Sequence, residues 1–180
     1  MLKHWVVGIV ASGLIAFAGW SASRGDSPST APAGLRIGVY DPRAIAVAYA
    51  HSELWAKILQ EHKAAYDAAK AAGDQKRVKE LEAWGESNQI RLHLQAFGGA
   101  PVDDCLDKVR DRLPQVAQTA GVQVIARKAD YAGTDVEIVD VTDDLVQLFN
   151  PNAKTLKNIE GLKKQPPVPL EKVAKMGVNE

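Results

Sequence analysis

Any chemistry in this chain would have to come from four histidines, one cysteine and a run of aspartates. His51 and His62 would share one face of a helix that carried both, but that spacing separates them by about 16 Å along the axis, too far to hold one metal ion jointly. His62 falls on an apolar seam and reads as a polar interruption that fixes helix register. Asp103, Asp104, Asp107 and Asp111 could bind Ca²⁺ or act as an acid–base pair. Lys108, Arg110 and Arg112 are interleaved with them, however, which is the pattern of a solvated helix face. Asp130 and Asp135 flank a loop and read as turn and strand-edge residues. Cys105 is the sole cysteine, which excludes an intramolecular disulfide and a thiolate metal cluster; it reads as a small, partly buried apolar residue. None of the motifs GxGxxG, HExxH or GxSxG occurs, nor a phosphate-binding GxxxxGK loop, and no nucleophile–base pair declares itself. The expectation is a protein that is not an enzyme, with no catalytic residue, no cofactor and no metal.

The elements that position these residues are organised around Gly121–Asn150. Val122, Val124 and Ile125 make one β-branched run, and Val136, Ile138, Val139 and Val141 make a second. Thr142 is placed to cap a helix whose first turn holds Asp143 and Asp144, with Leu145, Leu148 and Phe149 on its apolar face. This unit needs a partner for its apolar surface. Leu35, Ile37 and Val39 offer one, alternating with Arg36, Gly38 and Tyr40. Asp41-Pro42 then reads as an N-cap followed by proline at the first helical position.

Between these strands the pattern is helical. Trp55, Leu59, His62, Tyr66 and Ala69 recur at alternating spacings of four and three, the seam of a coiled coil. Gly73-Asp74 reverses the chain. A second helix runs from Gln75 to Phe97 and is interrupted at Gly98–Pro101. Val102, Leu106, Val109, Leu113, Val116 and Ala120 define a third, with a kink or a break expected at Pro114. The expected fold class is α+β: a small sheet formed by the first strand and two C-terminal strands, with a long antiparallel helical hairpin, a coiled-coil arm over about 51–120, inserted between them.

Lys3 and His4 precede an uncharged run from Trp5 to Trp20, which suits a signal peptide within residues 1–23 or an uncleaved N-terminal membrane anchor. Residues 24–34 form a Ser/Pro/Gly-rich linker and 35–150 the folded domain. Residues 151–180 carry a Pro-rich, basic tail that reads as disordered. The rest of the chain is then expected outside the cytoplasm, in the periplasm or facing it from an inner-membrane anchor. Lys and Arg together number 22, and so do Asp and Glu, so no basic surplus points to nucleic acid.

The order strand, short helix, helical excursion, strand, strand, helix resembles the Skp/OmpH family of periplasmic holdase chaperones. LRIGVYDPRAIAVAY at 35–49 and VQVIARKADYAGTDVEIVDVTDDLVQLF at 122–149 carry the likeness, the second through its Tyr-containing loop and its Asp140-Val141-Thr142 helix start. The resemblance implies a homotrimer whose strands build a central body. Helical arms extend from that body around a cavity for unfolded outer-membrane or other envelope proteins, without ATP, metal or catalytic residues. Leu35, Ile37, Val39, Val124, Val136 and Ile138 would then form the oligomer core. Trp55, Ile58, Tyr66, Trp84 and Phe97 are the apolar groups an arm could present to a client. The arm here is short and charge-balanced, unlike the strongly basic arms of that family. The alternative is a membrane-tethered coiled-coil scaffold of the cell envelope that binds no client.

Overall fold

The computed structural model describes residues 34–176. The strands are β1 (Leu35–Val39), β2 (Val124–Ala126) and β3 (Val136–Asp140). The helices are α1 (Pro42–Ala50), α2 (Glu53–Ala71), α3 (Gln75–Gly98), α4 (Asp103–Leu106), α5 (Leu113–Ala120), α6 (Thr142–Gln147), α7 (Ala153–Lys163) and α8 (Leu170–Met176).

The hub is α1, upstream of the stretch the sequence pattern favours. Ala44, Ile45, Ala46 and Ala48 are wholly inaccessible to solvent. A helix apolar on all sides has to be surrounded, and α1 is wrapped by α2, α3, α4, α6 and α7. Its start follows the local rules: the Asp41 side chain accepts the Arg43 amide at 2.9 Å and Pro42 opens the first turn. Ser52 and Asp74 cap α2 and α3 in the same way, and Gly73 (φ 71°) supplies the left-handed residue that reverses the chain between them.

The expected arrangement of sheet and arm requires correction. The sheet has the order β2-β1-β3 and both pairings are parallel, Ile37 standing opposite Val124 on one side and Ile138 on the other. The two C-terminal strands therefore do not touch; β1 lies between them. Nor do α2 and α3 form a free arm. Ala69, Val78 and Leu81 pack together near the turn, but α3 also packs on α1 and α8, so it belongs to the body. The chain is mostly helical around this small sheet. The third helical run is broken as well: α4 passes into a 3-10 stretch, Asp107–Arg112, with Val109 off helical geometry, before Pro114 enters the first turn of α5.

Parallel strands need a crossover between them, usually a helix that covers the sheet. The β1–β2 crossover contains α1 to α5. The β2–β3 crossover, residues 127–135, contains no helix. The sheet consequently has one packed face and one open face. On the packed face Gly38 is buried against Val141 and Val122; a Cβ there would lie 3.0 Å from both Val141 methyls. Ile125 and Val139 pack into the core from the same side. Arg36, on the middle strand, ties the sheet together: it donates to the Glu137 carboxylate on β3 and to the carbonyls of Ala120 and Gly121 ahead of β2.

Two further expectations change. Thr142 does not cap α6 but is its first residue. Its hydroxyl accepts the Asp41 amide at 2.9 Å, while Asp140 Oδ1 accepts the Thr142 amide at 2.8 Å. The segment after Asn150 is not a disordered tail over its described length. Asn152 caps α7, Ile159 and Val173 are buried, and α8 packs on α3. The Pro-rich stretch between them is pinned by the Val168 amide, which donates to the Phe97 carbonyl, and by Arg43 Nη1, which donates to the Gln165 carbonyl at 2.7 Å.

Candidate functional site

Several of the residues that could have carried chemistry make structural contacts. Asp104 pairs with Arg91 and accepts from Gln95 Nε2 at 2.7 Å; Asp107 pairs with Arg110; Asp130 pairs with Lys128. Burial pushes the Cys105 thiol up to about 12, so it stays protonated at neutral pH. Among the described residues no group of three His, Cys, Asp or Glu side chains comes together to hold a metal ion.

What the fold does build is apolar surface, in two places. The first is a groove of about 430 Å³ between the end of α1, the start of α2 and the second half of α3. Trp55, Leu59, Trp84, Gly85, His93 and Phe97 are among its lining residues, and no Asp, Glu, Lys or Arg lines it. Its aromatic wall is the end of a chain of rings reaching into the core: Phe149 meets Tyr49 at 5.9 Å, Tyr49 meets Trp55 at 5.6 Å, and Trp55 stacks on Trp84 at 6.0 Å. His62 lies flat on Trp84, ring centres 3.3 Å apart. Its Nδ1 is buried and makes no hydrogen bond.

The five client-contact candidates divide. Trp55, Trp84 and Phe97 meet in the groove, Trp55 buried, Trp84 half-buried and Phe97 45% exposed. Ile58 and Tyr66 lie outside it. Ile58 packs on the main core, and Tyr66 joins the Ala69–Val78–Leu81 cluster and donates its hydroxyl to Glu82 at 3.2 Å. The sequence reading missed Leu59, His51 and His93 as lining residues. A mid-helix glycine beside Trp84 was the one available signal.

The second place is the open face of the sheet. The register puts Leu35, Ile37, Val39, Val124, Val136 and Ile138 on it together. Leu35, Val124 and Ile138 are exposed and the other three half-buried. A parallel sheet is ordinarily covered on both sides, whereas half of this face is exposed. Beside it the crossover loop carries Tyr131, which is 88% exposed.

The groove and the open face belong to a helix-rich domain built round a buried helix and a three-stranded parallel sheet. No family model matches the chain, and neither a curated protein nor a solved structure matches it. Among the described residues no helix is long and apolar enough to cross a membrane. The expected signal or anchor in residues 1–23 lies outside the described residues, as does most of the linker.

Proposed function

We propose that the protein is a holdase-type chaperone of the periplasm that binds unfolded outer-membrane or envelope proteins without ATP and works as a homotrimer. The observation that carries this reading is the amount of organised apolar surface left unfilled: a groove walled by two tryptophans and Phe97, and a sheet face of six aliphatic residues. Exposed apolar patches of this kind mark binding surfaces on soluble proteins. The two surfaces suit different tasks. The sheet face is flat and made of β-branched and leucine side chains, which stack well against a like surface, so it is assigned to subunit contact. The groove is concave and aromatic and is assigned to the client. The likeness of residues 35–49 and 122–149 to the Skp/OmpH family supports the same division.

The test is dilution of a urea-unfolded outer-membrane β-barrel protein into buffer with the purified chain, without nucleotide, followed by light scattering. Scattering should fall in proportion to added protein and reach a floor near one trimer per client. Scattering unchanged by a several-fold excess would refute the holdase and favour the envelope scaffold, which binds no client.

A further inference from the structure

We infer that the groove is a receptor for aromatic side chains, so that the protein selects aromatic-rich stretches of an unfolded chain rather than apolar chain in general. The inference rests on the chaperone reading and adds what that reading leaves open, the class of segment captured. Its starting point is Gly85. This residue lies inside a 24-residue helix, where glycine is less favourable than alanine. Packing does not require it: a Cβ built there meets no atom within 4 Å, and no positive φ demands it. Gly85 lines the groove between the Trp84 and Asn88 positions of α3. A glycine in the lining of a groove lets an occupant approach the helix backbone closely.

The walls define the occupant. Trp55, Trp84, His93 and Phe97 present rings, and aromatic pairs gain stability beyond their buried area. The lining holds no carboxylate, ammonium or guanidinium, and its titratable groups are the imidazoles of His51 and His93, so it offers no fixed charge to a charged side chain and suits a neutral one. Asn88 is already committed, its Nδ2 donating to the Trp84 carbonyl and its Oδ1 accepting from Arg91. Gln89, which also lines the groove, has a free amide to meet the hydroxyl of a tyrosine or the indole N–H of a tryptophan. The volume of about 430 Å³ lies within the range of small-ligand pockets and is open enough for a side chain to enter from an extended chain.

The test uses the full chain and two short neutral peptides that differ only in Phe against Leu, with binding read from the protein's tryptophan fluorescence. The Phe peptide should bind at least tenfold more tightly than the Leu peptide. Gly85→Leu, which fills that part of the lining, should remove that preference. Gly85→Ala should weaken Phe-peptide binding several-fold while raising the melting temperature by about 3 °C. That combination separates a binding role from a packing one. Equal affinity for both peptides, or a preference that survives Gly85→Leu in a folded variant, would overturn the inference. A protein that suppresses aggregation yet shows no aromatic preference keeps the chaperone reading and refutes this one. Aromatic preference lost in Gly85→Leu, together with no suppression by the native chain, does the reverse.

Discussion

Arg43 is the residue whose removal most directly tests how the C-terminal segment is held. Its side chain is 8% exposed and forms a clasp with two jaws. On one side Nε and Nη2 donate to the Asp41 carboxylate, Nη2 at 2.7 Å; on the other Nη1 donates to the Gln165 carbonyl at 2.7 Å. Arg43→Ala removes both jaws and the buried stem. The Asp41 side chain keeps 23% of its exposure and can turn to water, so that jaw contributes about 1 kcal/mol. The bond to Gln165 is charge-assisted and less accessible, at about 2 kcal/mol, and the methylene stem contributes about as much again. Freed side-chain entropy returns about 2 kcal/mol. The net loss is about 3 kcal/mol, a large part of the 5–15 kcal/mol typical of a domain. Urea unfolding should register it as a lower midpoint with an unchanged slope. Hydrogen exchange should quicken in 166–176 more than in α1. Deleting residues 165–180 removes the Gln165 jaw, so the double variant should lose less than the two single losses together. A loss under about 1 kcal/mol, or strict additivity with the deletion, would refute the clasp.

Gly38→Val should cost more than 2 kcal/mol, an overpacking penalty, because the new Cβ meets both Val141 methyls at 3.0 Å in a wall that cannot retreat; thermal melts of the variant measure it. Cys105 should resist thiol reagents in the folded protein at pH 8 and react once urea is added, since burial holds its ionisation near 12. The same shift fixes a pH dependence. Below 9.0 the thiol is protonated in both states; between 9.0 and about 12 only the unfolded chain ionises, so stability falls as pH rises through that window. Tyr40 and Tyr49, also pushed up by burial, act in the same direction. Cys105→Ala should make the alkaline decline shallower without abolishing it.

Local signals in the sequence were sufficient for several helix starts, though not for α6, where Thr142 is the first residue and not the cap. Asp41-Pro42 set the start of α1, Asp74 that of α3, and Gly73 the turn before it. Strand order could not be read in the same way, because it depends on which of two equally apolar runs pairs with which edge of β1, a choice made by packing far from the strands. The alternation Leu35, Ile37, Val39 identifies an apolar face without saying whether the chain itself covers it. Here the core takes the Gly38 side, since a glycine admits Val141 and Val122 where a larger residue would hold them off. The tail misled for a related reason. Its composition is that of a loose segment, but Val173 is buried and Arg43 holds the Gln165 carbonyl from 122 residues upstream. The groove was half legible: Trp84 and Gly85 stand out on α3, whereas His51 and Leu59 join them only once α1 and α2 are placed.

The central position of β1 has a consequence for how the molecule is made. Its two ladders join residues 87 and 101 positions apart, as the Arg36 contacts with Gln123 and Glu137 mark out. A ribosome adding about 5–20 residues per second makes β1 wait roughly 5–15 s before β2 exists, and longer for β3. Helices α2 and α3, which pack on each other across one tight turn, have time to form in that interval, while the sheet and the packing of α6 and α7 on α1 and of α8 on α3 wait for the later chain. Until then the middle strand has two bare edges and an apolar side. Any chain that stops short of residue 124 keeps that strand permanently unpaired, a template for aggregation.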